Sequence, residues 1–259
     1  MPFTLAHPAA VLPLRHLRGL RTAPLVIGAM VPDAPYYLQA SHRLLFDTHG
    51  LVGSCLLDLP LGILLLAAAV LLRDPLTALL SARARWLGLH ALEPFRQRAS
   101  EWLLAPLAIL IGVWAHLLWD SFTHGDGWIV RHVAALRQIV VIGGYSVQVC
   151  HLLQYLSSII GLAIMLWWYL RLRAPTTDAA HAAWLAHAGP ALLLVAGAAL
   201  LIGGVEAQLV YSHSDGAVYR TLDVLLTRSV AWFLLLNLIG GTIVTLEQRA
   251  TAARHDLRP

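Results

Sequence analysis

Five long apolar stretches, near residues 50–72, 102–123, 146–170, 184–206 and 224–246, constrain this chain more than any other feature. Each is long enough to cross about 30 Å of hydrocarbon at about 1.5 Å per residue. A backbone in lipid must satisfy its own polar groups, so runs of this length have to be helical. A composition of 58% apolar and 12% charged residues, with mean hydropathy +0.69, fits an integral membrane protein. The fold class expected is therefore all-α, a polytopic membrane helix bundle. Breakers separate the runs: Arg73-Asp74-Pro75, the arginine-rich 83–98 stretch, residues 171–178 and residues 212–216.

Residues 1–48 differ. Phe3–Leu14 and Ala23–Val31 are apolar but too short to span comfortably. The basic connector from Arg15 to Arg21 joins them. The pattern predicts a hairpin of two short helices packed on the bundle. One membrane-embedded domain, 1–259, is expected: hairpin and loop in 1–48, the core of a metal site in 49–130, and the remaining spans in 131–259. Met1 to Thr22 shows no basic region ahead of an apolar core, so no cleavable signal peptide is expected. Cys55 and Cys150 both lie in apolar runs, which argues against a disulfide.

The formal net charge of +4 calls for no nucleic acid, because the positive-inside bias of membrane proteins accounts for it. All 18 basic residues are arginine. Counting connections by side gives 13 arginines against 5 if the 15–21 turn joins residues 73–101, 171–183 and the C-terminal segment, and 10 against 8 if it does not. Either count makes that side cytoplasmic and turns the ends bearing His49 and Asp120 outward.

Ionisable groups at membrane depth are costly and mark sites or polar cavities. His116, Asp120 and His124 are spaced i, i+4, i+8. Each step of four turns a helix by only ~40° and climbs ~6 Å, so the three share one face. Two imidazoles and a carboxylate on one stripe can chelate a divalent ion. The plain alternative is that His116 and Asp120 merely bond each other where a helix meets water. The first long run starts beside His49 and the second ends near Asp120, so both ends reach one membrane face. The hairpin returns His7 and Asp33 to the same face. His7, Asp33, His49, His116 and Asp120 are the expected metal ligands. His124 is a further ligand or an acid–base group, and Asp120 with His124 forms the catalytic pair. Zinc is the expected cofactor, as one ion or two.

Taken singly, His7 has a packing explanation and Asp33 a turn explanation, since Asp beside Pro favours turns. His42 reads as interfacial. Asp58 lies nine residues past His49, about 180° around an ideal helix, and is expected to face another partner, as a support behind the ligands or a polar hinge beside Pro60 rather than as a ligand. Glu206 ends an apolar run and is a candidate for buried function. His151, His213 and Asp215 fall toward the same face, where interfacial loops explain them equally well. Trp114, Trp119, Phe122 and Trp128 suit the headgroup level, where they anchor the helix.

The order His7, Pro32-Asp33, His42-Arg43, Thr48-His49 and His116-x-x-x-Asp120 resembles bacterial inner-membrane metal-dependent hydrolases. The fuller match runs from Met1-Pro-Phe-Thr through Gly-Ala-Met-Val-Pro-Asp33 to His116-Leu-Leu-Trp-Asp-Ser-Phe-Thr-His124. It resembles the domain-of-unknown-function 4184 family over most of the chain, best in residues 1–130. The ligand order also looks like the front half of zinc-dependent phospholipase C and related nucleases, helical enzymes that cleave phosphate esters. The resemblance implies a multi-pass protein of the bacterial inner membrane, acting on a lipid or lipid-linked phosphoester. Departures weaken it. Ala34-Pro35-Tyr36 follows the Pro-Asp, where relatives carry a second acidic residue and a histidine. The spacing from Arg43 to Thr48 is two residues longer, and no second His-x-x-x-Glu/Asp pair follows. An ion- or proton-coupled transporter, or a scaffold stabilised by a metal, are the alternatives. No internal repeat supports the transporter.

Overall fold

The computed structural model describes residues 4–17, 19–37, 48–175, 177–213 and 218–256. The residues His42, Arg43 and Asp215, and the start of the N-terminal motif, lie outside them. Five helical segments among the described residues are long and apolar enough to cross a membrane: Leu51–Leu71, Ala99–His132, Val149–Arg171, Ala188–Ser212 and Thr221–Arg254. The protein is a multi-pass membrane protein of the all-α class, with a short β-hairpin between its spans. We label its longer helices α1 (Thr22–Met30), α2 (Leu51–Leu71), α3 (Ala82–Gln97), α4 (Ala105–Thr123), α5 (Val149–Arg171), α6 (Asp178–His213) and α7 (Val218–Asp256).

Two compact units divide the chain. One lies within Met1–Pro35, Gln39–Leu66 and Arg98–Leu172, the other within Tyr36–Leu38, Ala67–Gln97 and Arg173–Pro259. In the first, α4 is the central helix. Pro106 opens it, where a missing N–H costs nothing. Ala105, Ala108, Ile109, Gly112, Val113, His116, Asp120 and Thr123 are buried along one stripe. Leu107, Trp114, Leu118 and Phe122 are exposed on the rest of the helix, where lipid replaces water. The stripe turns from small and apolar to polar over its last two turns, so a single face first packs helices and then presents ligands.

The packing partner is α1. A Cβ on Gly28 would sit 2.1 Å from the Ile109 carbonyl oxygen, and one on Gly112 would sit 2.4 Å from the Leu25 oxygen. The two backbones touch because both contact positions lack side chains, the device membrane helices use where apolar burial gives little drive. Val11, Leu25, Ala29 and Ala108 form the buried core of this contact, and Val31, Ile109 and Val113 continue it.

In the second unit α6 and α7 lie along each other. Polar side chains bind elements together: Asn237 Nδ2 donates to the Leu76 oxygen at 3.0 Å, and Trp184 Nε1 to the Leu79 oxygen at 2.9 Å. Arg73 pairs with Glu93.

Three sequence expectations change. The N-terminal hairpin forms, but its first arm is a broken series: turns at Thr4–Ala6 and Leu12–His16 flank the single helical turn Pro8–Val11. Pro8 and Pro13 interrupt the hydrogen-bond ladder. The arginine-rich 83–98 stretch, taken as a breaker, is the helix α3. Its charges are spaced so that apolar Leu92 and Phe95 still share a buried side. The third span starts at Val149 rather than 146, because Ile139–Ile142 and Tyr145–Gln148 pair as an antiparallel hairpin. Gly143 and Gly144, at φ 58° and 88°, make the two-residue turn that only glycine or Asn/Asp tolerates well.

Candidate metal centre

Three segments deliver the polar residues. The turn at Thr4–Ala6 leads into His7, a one-turn 3₁₀ helix at the end of α1 carries Asp33, and α4 presents His116 and Asp120 one turn apart. His49 stands just before α2. His7, Asp33, His116 and Asp120 are nearly inaccessible. Side chains of His49 and His124 keep 25% and 29% exposure, so these two mark the open edge.

Asp33, His49, His116 and Asp120 each offer one ligand atom, and those four atoms lie within 4.8 Å of one another. His49 Nε2 is 3.4 Å from Asp33 Oδ1 and 3.7 Å from Asp120 Oδ2. His116 Nε2 is 3.2 Å from Asp120 Oδ2 and 3.7 Å from Asp33 Oδ1. The His116 tautomer follows from its other nitrogen: Nδ1 donates to the Ala29 carbonyl at 2.9 Å, so a neutral ring carries its lone pair on Nε2. That lone pair faces Asp120 Oδ2, yet among the described residues neither buried atom has a hydrogen-bond partner. Two buried acceptors confronting each other are unfavourable until a proton on the imidazole or a metal cation lies between them. The residues therefore fit a divalent ion, with the backbone carbonyl holding the ligating histidine in the usual outer arrangement.

His7 and His124 adjoin this group without belonging to it. The His7 ring stacks on His116 at 3.9 Å between centroids and 17° between planes, and His7 Nε2 reaches Asp120 Oδ1 at 3.1 Å. It thus holds the carboxylate's other oxygen. His124 Nδ1 lies 3.3 Å from the Asp120 carbonyl and 3.4 Å from its Oδ1. His124 Nε2 accepts from the Gln154 amide at 3.3 Å. Both nitrogens are engaged, which suits a group that orients Asp120 and faces the open edge.

Thr4 Oγ1 donates to Asp33 Oδ2 at 2.6 Å, and Thr48 Oγ1 donates to the Pro32 carbonyl at 3.1 Å. These supports, with Ala29 and Gln154, escaped sequence reasoning. Gln154 had a signal, a lone amide inside an apolar run. A backbone carbonyl such as that of Ala29 has none. Thr4→Val keeps shape but removes the Asp33 contact, and is expected to weaken metal affinity ~10–100-fold, the usual cost of losing such a support. Metal titration of the purified variant checks this, and unchanged affinity would refute the role.

Asp58 is fully buried, and among the described residues neither of its oxygens has a hydrogen-bond partner, so the separate partner expected for it is not found among them. It ends a π-helical segment, Ser54–Asp58, whose wider turn breaks the ideal angular count from His49. That segment packs on α4 and on the Val31–Asp33 turn. Glu206 belongs to the second unit, where it pairs with Arg228 at 3.0 Å and accepts from Trp232 Nε1 at 2.9 Å. Among the described residues no hydrogen bond or ion pair joins His151 to the centre.

Burial raises the Asp33 carboxyl most strongly, but His116 and the hydrogen bond to His49 bring it below the ordinary carboxylate value. Burial lowers His49, and its bond to Asp33 together with that charge lifts it above the ordinary imidazole value. In the ion-free protein the His49 contribution is fully present below its unfolded value and is lost as pH rises through the raised one. The Asp33 contribution is present above the unfolded carboxylate value and is lost as pH falls. The pair is intact between those limits. An ion needs His49 unprotonated, so its affinity is expected to fall as pH drops through the raised His49 value, with proton release on binding. Calorimetric metal titrations between about pH 8 and pH 6 check it. A flat affinity would contradict it.

Fold and centre define a class: a polytopic helical membrane protein whose N-terminal segment and second span enclose a polar His/Asp cluster able to hold a metal ion. The chain belongs to the family described as Domain of unknown function (DUF4184), which matches residues 1–246. No curated protein and no solved structure matches it significantly.

Proposed function

We propose that the protein is a membrane-embedded, metal-dependent hydrolase that cleaves a phosphoester of a lipid or lipid-linked substrate. The observation that carries this reading is the confrontation of His116 Nε2 and Asp120 Oδ2, both orphaned, inside a group completed by Asp33 and His49. Zinc suits two imidazoles and two carboxylates. When bound, such an ion supplies Lewis acidity that polarises a phosphoryl oxygen and offsets charge built up on it.

The chain's own residues supply the rest. His7 and the α4 backbone hold Asp120 in place, while Ala29 and Thr4 fix His116 and Asp33. The substrate enters along the edge where His49 and His124 stay accessible. His124 stands at that edge with Nδ1 against the Asp120 carbonyl and Nε2 on the Gln154 amide, and it hands a proton to a leaving oxygen only once the Gln154 amide swings aside and Nε2 is protonated. Exposed Phe122 in the last turn of α4 and Trp128 just beyond it give that end an aromatic border consistent with the headgroup level. By arginine count the site faces the extracytoplasmic side of a bacterial inner membrane.

A non-catalytic centre that only ties residues 4–33 to α4 is the second reading, favoured by the near-complete burial of three of the four ligating groups. Stoichiometric metal with phosphoester turnover in the wild type, and loss of turnover in His124→Gln with metal retained, is the expected result. Stoichiometric metal with no turnover on any phospholipid or lipid-phosphate substrate would leave the scaffold standing and defeat the hydrolase.

A further inference from the structure

A second polar cavity lies at the other end of α4. Arg15, Leu17, Gly19, Leu20, Arg21, Ser100, Glu101 and Leu104 enclose about 370 Å³, within the range of small-ligand sites. From Leu104 to Asp120 is sixteen residues, or ~24 Å along the helix, so this cavity is separate from the His/Asp centre. It lies where a membrane-spanning segment begins, beside the Trp168 end of α5.

Its donors are held but not used up. The Arg21 guanidinium grips the Glu101 carboxylate in a fork, with Nε donating to Oε2 at 2.7 Å and Nη2 to Oε1. That fork spends two of its five N–H groups and all of the outward charge of Glu101. Arg98 adds positive potential at the Glu101 carboxylate. The Arg15 guanidinium donates Nη1 to the Leu12 carbonyl at 3.0 Å and lies 6.0 Å from the Trp168 ring centre. Among the described residues its remaining N–H groups have no hydrogen-bond partner. Two arginines against one carboxylate leave the lining with net charge +1. Around it, Leu17, Leu103, Leu104 and Leu107 are exposed, forming an apolar surface continuous with the α4 span.

A cavity with cationic donors in its floor and exposed leucines at its rim matches one chemistry, a phosphate joined to acyl chains. We propose that this cavity seats the phosphate headgroup of an anionic glycerophospholipid, with the acyl chains lying along the exposed leucines of α4. The site does not depend on the hydrolase reading, and it involves none of the residues of the His/Asp centre. The lipid bound there is a structural or regulatory ligand.

The test uses the full chain, purified and stripped of lipid in detergent, with binding followed by native mass spectrometry. Phosphatidylglycerol is expected to bind roughly tenfold more tightly than phosphatidylcholine, as one charge-assisted contact provides. Arg15→Gln should erase that preference, Arg15→Lys should keep part of it, and Ser100→Ala should weaken it mildly. Equal affinity of the two lipids for the wild type overturns the proposal, and so does an unchanged preference in Arg15→Gln. Inorganic phosphate that displaces the lipid at millimolar concentration assigns the site to a free phosphate and overturns the lipid as well. Should Arg15→Gln fail to fold, the wild-type ratio and Ser100→Ala decide alone.

Discussion

Asp120→Ala is expected to empty the metal centre, lowering divalent-ion affinity by well over the ~100-fold that loss of a mere support costs. The reason is how much converges on this one side chain. Oδ1 takes His7 Nε2 at 3.1 Å and lies 3.4 Å from His124 Nδ1, while Oδ2 faces His116 Nε2 at 3.2 Å and His49 Nε2 at 3.7 Å. Removing it leaves four imidazoles in a pocket with one carboxylate. In the ion-free protein the loss of these partners is expected to cost about 3 kcal/mol, as when a buried pair loses one member. Asp120→Asn separates the two effects. Its amide keeps the side chain's shape and can still bond His7, so folding should largely survive, while the neutral oxygen no longer offsets an ion's charge. Metal content by mass spectrometry and thermal unfolding read the two outcomes. Stoichiometric metal retained by Asp120→Asn would remove Asp120 from the ligand set.

The other large effect is expected at a residue that touches no ligand. Gly112→Leu would place a side chain where even a Cβ lies 2.4 Å from the Leu25 oxygen and 2.6 Å from the Ala29 nitrogen. Both atoms are backbone, so no rotamer relieves the collision and α1 must separate from α4. Overpacking of this kind costs about 3 kcal/mol or more. The same displacement draws the Ala29 carbonyl away from His116 Nδ1 and shifts Asp33, which follows α1 directly. Metal affinity and stability should therefore fall together. Gly240→Ala in the second unit, whose Cβ would come 3.1 Å from the Leu79 side chain, can yield and should leave metal binding unchanged. If Gly112→Leu lowers the melting temperature but binds metal normally, the centre does not depend on α1 as described.

How much of this was legible in the chain depends on which forces set each feature. Lipid imposes length and hydrophobicity on a span, and the five runs show both, so their starts could be read to within a few residues, while three of the helices run further at their ends than the apolar runs do. The meeting of His7, Asp33, His49, His116 and Asp120 was legible as well, because charged groups at membrane depth have few reasons to be there and the span ends place them at one level. What stayed hidden was set by contacts without a compositional mark. His7 stacks on His116 instead of entering the four-residue group, a choice made by ring packing within an ångström or two. The π-helical segment that swings Asp58 inward looks like any apolar helix in sequence. The Ile139–Gln148 hairpin could have been found: Gly143-Gly144 between two β-branched, alternating runs is a turn signal, but it was hidden beside a longer apolar run. The arginine-rich helix α3 shows the reverse error, charge density read as a break where it only keeps the helix out of lipid.

The central claim is that Asp33, His49, His116 and Asp120 hold one divalent ion together. X-ray absorption on the purified full chain, loaded with zinc and washed free of excess, tests it most directly. We expect one ion per chain with a shell of two imidazole nitrogens and carboxylate oxygens at about 2.0–2.2 Å, losing imidazole scattering in His116→Ala. No retained ion, or a shell of sulfur or of water oxygens alone, would contradict the account.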